Sequence, residues 1–179
     1  MSSPQTPTVG ERAQRRPRDM ALSLVVLLVP IVLLLLFYRL VLNGDKPVAV
    51  DPEPVLQQAR TAAAFEVAAP QGLGADWHVQ SATYKHDSGG ATLRLGYADP
   101  GGKPLQLIES SVATTTLIPA ELGKNPEAVG VFRAGARTWQ RYDGRPGENA
   151  LVLLEKGRTI IVVGPAEERT LETLASALT

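Results

Sequence analysis

Cysteine is absent from the 179 residues of this chain, and aromatic residues make up only 5% of it. The lack of cysteine excludes disulfides, thiol catalysis and anchoring through a lipidated N-terminal cysteine. An excess of one charge is missing as well, because 18 Lys and Arg balance 18 Asp and Glu. From residue 44 onward, 13 basic residues stand against 16 acidic ones. This part of the chain therefore lacks the basic surface that a nucleic-acid partner requires.

Histidine is scarce too, and this limits the chemistry that the chain can perform. The two histidines, His78 and His86, do not stand at a metal-binding spacing. The run His86, Asp87, Ser88 contains the residue types of a hydrolytic triad, but neighbours at a hairpin tip cannot stack as nucleophile, base and orienting acid. We therefore predict no catalytic residue, no metal site and no cofactor, and a protein that is not an enzyme.

One long apolar run stands out among the residues that are present. Residues 20–38 carry no charge, and the apolar character resumes at residues 40–42 after Arg39. At a rise of about 1.5 Å per residue, the uncharged run covers about 28 Å, close to the roughly 30 Å of a bilayer core. A buried globular helix would show a polar face, and a cleavable signal peptide has a shorter apolar core. The run therefore predicts an uncleaved transmembrane helix over residues 20–42.

Charges beside this run predict its orientation. Arginines at positions 12, 15, 16 and 18 precede it, whereas the charges after it are mixed, and basic flanks stay on the cytoplasmic side. We therefore expect a single-pass protein of the cell membrane with a cytoplasmic N-terminus and an extracytoplasmic C-terminal domain. The predicted segments are a disordered basic tail (1–19), the transmembrane helix (20–42), a linker (43–54) and an α+β domain (55–179).

The spacing of apolar residues after residue 44 predicts the secondary structure of this part of the chain. Apolar residues at helical spacing indicate a helix after Asp51, which is placed to cap it, and a final helix after Gly164. Between these helices, alternating or short continuous apolar runs predict strands at residues 65–69, 77–85, 92–97, 105–110, 137–142, 151–155 and 158–163. The last two strands are apolar on successive residues, which indicates the centre of a sheet covered on both faces. Residues 112–130 are predicted to form a loop with at most a helical turn.

These elements predict an α+β fold: an antiparallel sheet of about six to seven strands packed by an N-terminal and a C-terminal helix, following the single transmembrane helix. The order of the strands in the sheet does not follow from the sequence, and neither does the oligomeric state.

One group of residues hints at a ligand. Arg137, Trp139 and Arg141 alternate along one predicted strand, so their side chains share a face. Such a strip suits anionic lipid headgroups or an acidic wall polymer. The alternative is structural, with the arginine stems covering Trp139 at a solvated edge.

Several short motifs together resemble a known family. They are Phe65-Glu66-Val67, Ala69-Pro70, Gly72-Leu73, Trp77, Leu95-Gly96-Tyr97, Asp99-Pro100-Gly101, Ile108-Glu109-Ser110, Trp139, Val162-Val163-Gly164, Leu174-Ala175 and Leu178. With these motifs the chain resembles, over about residues 15–178, the actinobacterial family known as domain of unknown function 4245. The resemblance implies a membrane-anchored envelope protein, and it supplies no catalytic residues.

Two functions remain open at this point. The first is a noncatalytic protein-interaction module of the cell envelope, which is indicated by an anchor and a short linker joined to a domain without reactive groups. The alternative is a binder of a lipid or of another apolar or anionic envelope ligand. The expected partners are the membrane and an envelope protein, with no nucleic acid.

Overall fold

The computed structural model describes the backbone of residues 17–41 and 49–178, and the side chains of residues 24–37 and 49–178. The chain forms two compact units, Met1–Lys46 and Pro47–Thr179. Most of the predicted tail and residues 43–48 of the predicted linker lie outside the described residues.

The first unit contains helix α1, Pro17–Val41. Its side chains are described at residues 24–37, where the large apolar ones are exposed. Within the residues that the structure describes, no helix has the length and apolarity needed to cross a membrane. On this finding, the transmembrane helix predicted over residues 20–42 is wrong, and so is the single-pass cell-membrane location.

Within residues 49–178, the second unit combines a seven-stranded antiparallel sheet with three helices, which makes it an α+β domain. The helices are α2 (Glu53–Ala62), α3 (Thr114–Leu122) and α4 (Glu168–Ser176). The strands are β1 (His78–Asp87), β2 (Gly90–Ala98), β3 (Pro104–Ser110), β4 (Ala128–Ala134), β5 (Arg137–Asp143), β6 (Asn149–Glu155) and β7 (Arg158–Gly164). The antiparallel sheet and the helices at both ends of this unit agree with the sequence analysis.

The sheet joins two meanders at its centre. Its strand order is β1-β2-β3-β7-β6-β5-β4, so the first three strands and the last four each follow one another in space. Pairing of β3 with β7, which places Ile108 opposite Ile161, connects the two halves. Strand β7 is therefore the middle strand, and all seven of its residues are buried. Its continuous apolar run reflects this position, because both of its faces are covered.

Helices cover both faces of the sheet. Helices α2 and α4 pack on what we call the two-helix face, where α4 buries Leu171 and Leu174 against sheet residues that include Trp139. Helix α3 packs on the opposite, one-helix face, where Leu117 and Leu122 meet a smaller apolar group. The sheet therefore has two separate cores.

Two predictions of secondary structure are wrong. Residues 65–69 are not a strand: their alternation reflects partial packing of Phe65 and Val67 on the core, while the Ala68 N–H bonds to the side chain of Glu109 instead of a neighbouring strand. Residues 114–122 form a nine-residue helix where a loop was predicted. Pro119 lies inside this helix, and packing of its apolar side chains outweighs the one hydrogen bond that proline removes.

Candidate functional site

The predicted strip on β5 lies beneath a helix. Arg137, Trp139 and Arg141 share the two-helix face of the sheet, on the side that α4 covers. Trp139 has no exposed surface and belongs to the core, and no hydrogen-bond partner among the described residues reaches its Nε1. The indole therefore cannot contact an external ligand in this arrangement.

Both arginines of this strip have partners within the protein. Arg141 forms salt bridges with Glu168 and Glu172, both on α4. The Arg137 Nη1 donates to the backbone carbonyl of Leu178, just beyond α4, and its Nε lies 3.4 Å from the Glu155 carboxylate. The two side chains thus fasten α4 to the sheet. Their use as an anion-binding strip stays a prediction, in which the anion would compete with these carboxylates.

A buried ion pair lies on the same face, near the centre of the sheet. The Glu109 carboxylate on β3 is fully buried, and the Arg158 Nη1 on β7 lies 3.0 Å from Glu109 Oε2. The Arg158 Nε also donates to Glu155 at 2.6 Å. Glu155 in turn meets Arg137. A chain of alternating charges therefore runs from the buried carboxylate towards the end of α4.

This ion pair binds the backbone that connects α2 to β1. The Ala68 N–H donates to Glu109 Oε2 at 3.0 Å, and the Arg158 Nη1 donates to the carbonyl oxygen of Glu66. Within the described residues, Glu109 Oε1 has no hydrogen-bond donor. A fully buried carboxylate with one unpaired oxygen is expensive to ionise.

The surroundings of Glu109 shift its acidity accordingly. Burial raises the pKa of Glu109 to about 7, although the Ala68 N–H and the Arg158 guanidinium favour the charged form. Burial also raises the pKa of Tyr97 to about 12, and the negative charge of Glu109 contributes to this shift. A carboxyl group that titrates near neutral pH is a frequent mark of a functional site, although structural ion pairs shift pKa values as well.

The two edges of the sheet differ in character. Strand β1 exposes polar side chains that include Lys85, and the Val50 N–H bonds to its Val79 carbonyl at 2.7 Å. Strand β4 at the opposite edge exposes Val129 and Val131, at 59% and 62% of their surface. Charged residues and covering segments protect sheet edges from pairing with other chains. The β4 edge has much less of this protection than the β1 edge.

Exposed apolar surface extends from the β4 edge onto the one-helix face of the sheet. Val131 lies opposite Gln140 on β5, and Leu154 on β6 is 48% exposed. Helix α3 packs over the apolar residues of β3, β6 and β7, such as Ile108, Val152 and Ile161. The outer part of the one-helix face, at β4 and β5, therefore remains accessible to a partner.

The histidines do not meet in the fold. His78 begins β1 and lies opposite Ala98, whereas His86 lies near the other end of the strand, opposite Ala91. Asp87 accepts a hydrogen bond from the Gly89 N–H at 2.8 Å, as expected of a turn residue. Among the described residues, no group of three or more His, Asp or Glu side chains is arranged to hold a metal ion.

Sequence reasoning did not single out Glu109 or the β4 edge. A signal for Glu109 was present in the sequence: it alternates with Leu105 and Leu107 along one strand, so this acidic residue falls on the same, buried face. The edge position of β4 depends on the strand order, which the sequence did not provide.

Comparison with protein-family models identifies the family. The family model described as "Protein of unknown function (DUF4245)" matches residues 12–178. No curated protein matches the chain.

Proposed function

Because the chain belongs to the DUF4245 family, whose description states no activity, we propose from its geometry that it is a noncatalytic protein-interaction module. The partner protein binds through an extended segment, which adds to the sheet as an eighth strand beside β4. The actinobacterial origin that the sequence resemblance implied is part of this proposal.

The observation that carries the proposal is the contrast between the two edges. On an edge strand, alternate backbone N–H and C=O groups point away from the sheet and can pair with an added strand. On β4 these groups lie beside exposed Val129 and Val131, whereas β1 is polar and partly covered by the segment at Val50. An incoming strand would therefore bury apolar surface at β4 and little at β1.

The side chains of β4 also indicate which residues the partner segment contains. Val131 alternates with Phe132, which packs against the core of the two-helix face, so an added strand would contact apolar side chains on both faces. Arg133 is exposed near the end of the strand. The matching segment is a stretch of about five to seven residues with β-branched or aromatic side chains and an acidic residue opposite Arg133.

The proposal is tested by site-specific crosslinking in the source organism. A photoreactive residue replaces Val131 in the full-length chain, and in a matched strain it replaces exposed Thr83 on β1. We expect crosslinks from position 131 to one extended segment of a partner, identified by mass spectrometry of the joined peptides. Crosslinks to a partner from position 83 instead of position 131, or no crosslinks from position 131, would overturn the proposal.

A second step tests whether the β4 edge determines binding. The identified segment is synthesised and titrated onto the full-length chain. Val131→Lys places a charge in the apolar edge and should weaken binding at least tenfold, whereas Thr83→Lys on the polar edge should leave it unchanged. Equal effects of the two substitutions would refute strand addition at β4. A crosslinked segment that belongs to another copy of this chain would replace the partner protein by a homodimer.

A further inference from the structure

The connection between α2 and β1 is held by a few polar contacts and by apolar side chains that pack against the core, among them Phe65, Val67 and Trp77. Residues 64–77 form no helix and no strand. Their backbone is joined to the rest of the domain at Ala68 and Glu66, which bond to the buried ion pair, and at Gln71, whose N–H donates to Ala177 at 2.8 Å. Segments with few backbone hydrogen bonds open locally at lower free energy than a central strand does. We call residues 64–77 the strap.

Charged and titratable groups face Glu109 from four strands. Arg158 comes from β7, Tyr97 from β2, Glu155 from β6 and Arg137 from β5. The strap itself contributes the Ala68 N–H, and its backbone covers Glu109 together with the neighbouring strands. The cations and the N–H favour the carboxylate, while burial and Glu155 favour the acid, and burial is the largest of these effects.

Opening of the strap changes this balance. It removes the Ala68 contact and admits water to the carboxyl group, so the burial that favours the acid is relieved. The closed state therefore binds a proton at Glu109 more tightly than the open state does. By linkage, loss of that proton favours the open state.

We propose that residues 64–77 form a strap that moves away from the sheet when Glu109 loses its proton, so that pH controls access to the core beneath it. In the closed state the Glu109 carboxyl group accepts the Ala68 N–H and the Arg158 guanidinium donates to the Glu66 carbonyl oxygen, and these two hydrogen bonds hold the strap. Ala68 and Phe65 pack against the core of the two-helix face, so opening exposes apolar surface there.

The expected size of the effect follows from the two pKa values. The ordinary value is 4.5 and the value in the closed state is about 7. The opening equilibrium should therefore rise about tenfold per pH unit within this window, by at most about 300-fold in total, and stay level above pH 7.

Hydrogen exchange measured by mass spectrometry on the full-length chain tests the proposal. Peptides from the strap are compared with peptides from β7 between pH 5 and pH 8, after correction for the intrinsic exchange rate. We expect the strap to exchange faster than β7 at every pH, and its protection to fall about tenfold per pH unit up to pH 7. A strap that exchanges only as fast as β7 would show that it opens with the whole domain, and the proposal would be wrong.

Two variants separate Glu109 from other groups. Glu109→Gln keeps the shape and an acceptor for the Ala68 N–H but cannot titrate, so strap protection should become independent of pH. Glu127→Gln, at an exposed position, removes the same charge and should retain the behaviour of the unmodified chain. Persistent pH dependence in Glu109→Gln would overturn the proposal. If this variant does not fold, the comparison of strap and β7 in the unmodified chain still decides.

Discussion

Replacement of Glu109 by Gln should change how the stability of the whole domain depends on pH. In the folded state burial raises the pKa of Glu109 to about 7, whereas the ordinary value of 4.5 applies when the chain is unfolded. Between these values the folded state holds a proton that the unfolded state has released. Stability therefore falls as pH rises from about 4.5 to about 7, and it is highest below this window.

The magnitude follows from the same two values. A tenfold difference in proton affinity corresponds to about 1.4 kcal/mol, so the full difference amounts to about 3 kcal/mol. The side chain has no exposed surface, so screening by solvent does not reduce this figure. A change of this size moves a urea midpoint by about 1 to 3 M.

The assay is urea unfolding of both proteins at intervals between pH 4.5 and pH 8.5, in a detergent that keeps the exposed apolar residues of α1 in solution. The free energy of unfolding of the unmodified chain minus that of Glu109→Gln should fall by about 3 kcal/mol across the window. The substitution also removes the attraction between Arg158 and the ionised carboxylate, but this attraction is already contained in the folded-state pKa of about 7 and adds no separate pH dependence. Parallel curves for the two proteins would refute the reasoning, and Glu127→Gln serves as the control.

Three further substitutions test packing and the attachment of α4. Trp139→Ala should lower the free energy of unfolding by about 3 to 5 kcal/mol in a denaturant titration, because it removes the largest buried side chain, whereas Trp139→Phe should cost far less since the indole N–H has no partner among the described residues. Arg141→Ala should cost about 1 kcal/mol and become nearly neutral in high salt, because its partners on α4 are partly exposed; a loss unaffected by salt would contradict this. Gly164→Ala should cost about 1 to 3 kcal/mol, because its Cβ would lie 2.6 Å from the Pro104 carbonyl oxygen, while Gly74→Ala has open space and should change the thermal midpoint little.

The sequence by itself determined the class and positions of most elements. Alternation along residues 105–110 and the apolar hairpin at residues 151–163 identified strands that the structure confirms, because a period of two places one set of side chains in a core. The final helix followed from its apolar spacing for the same reason. The local pattern gave a wrong prediction around Pro119, where a loop was expected and tertiary packing stabilises a helix. At residues 20–42 the helix was found, but the predicted membrane span was wrong.

The candidate sites depended on tertiary structure. Arg137, Trp139 and Arg141 do share a face, but only the position of α4 showed that this face is covered. Glu109 and Arg158 lie 49 residues apart in the chain and meet because β3 pairs with β7. Hydrophobic periodicity records which residues are buried without specifying their neighbours, so strand order, the two edges and the environment of a buried charge emerged only from the folded chain.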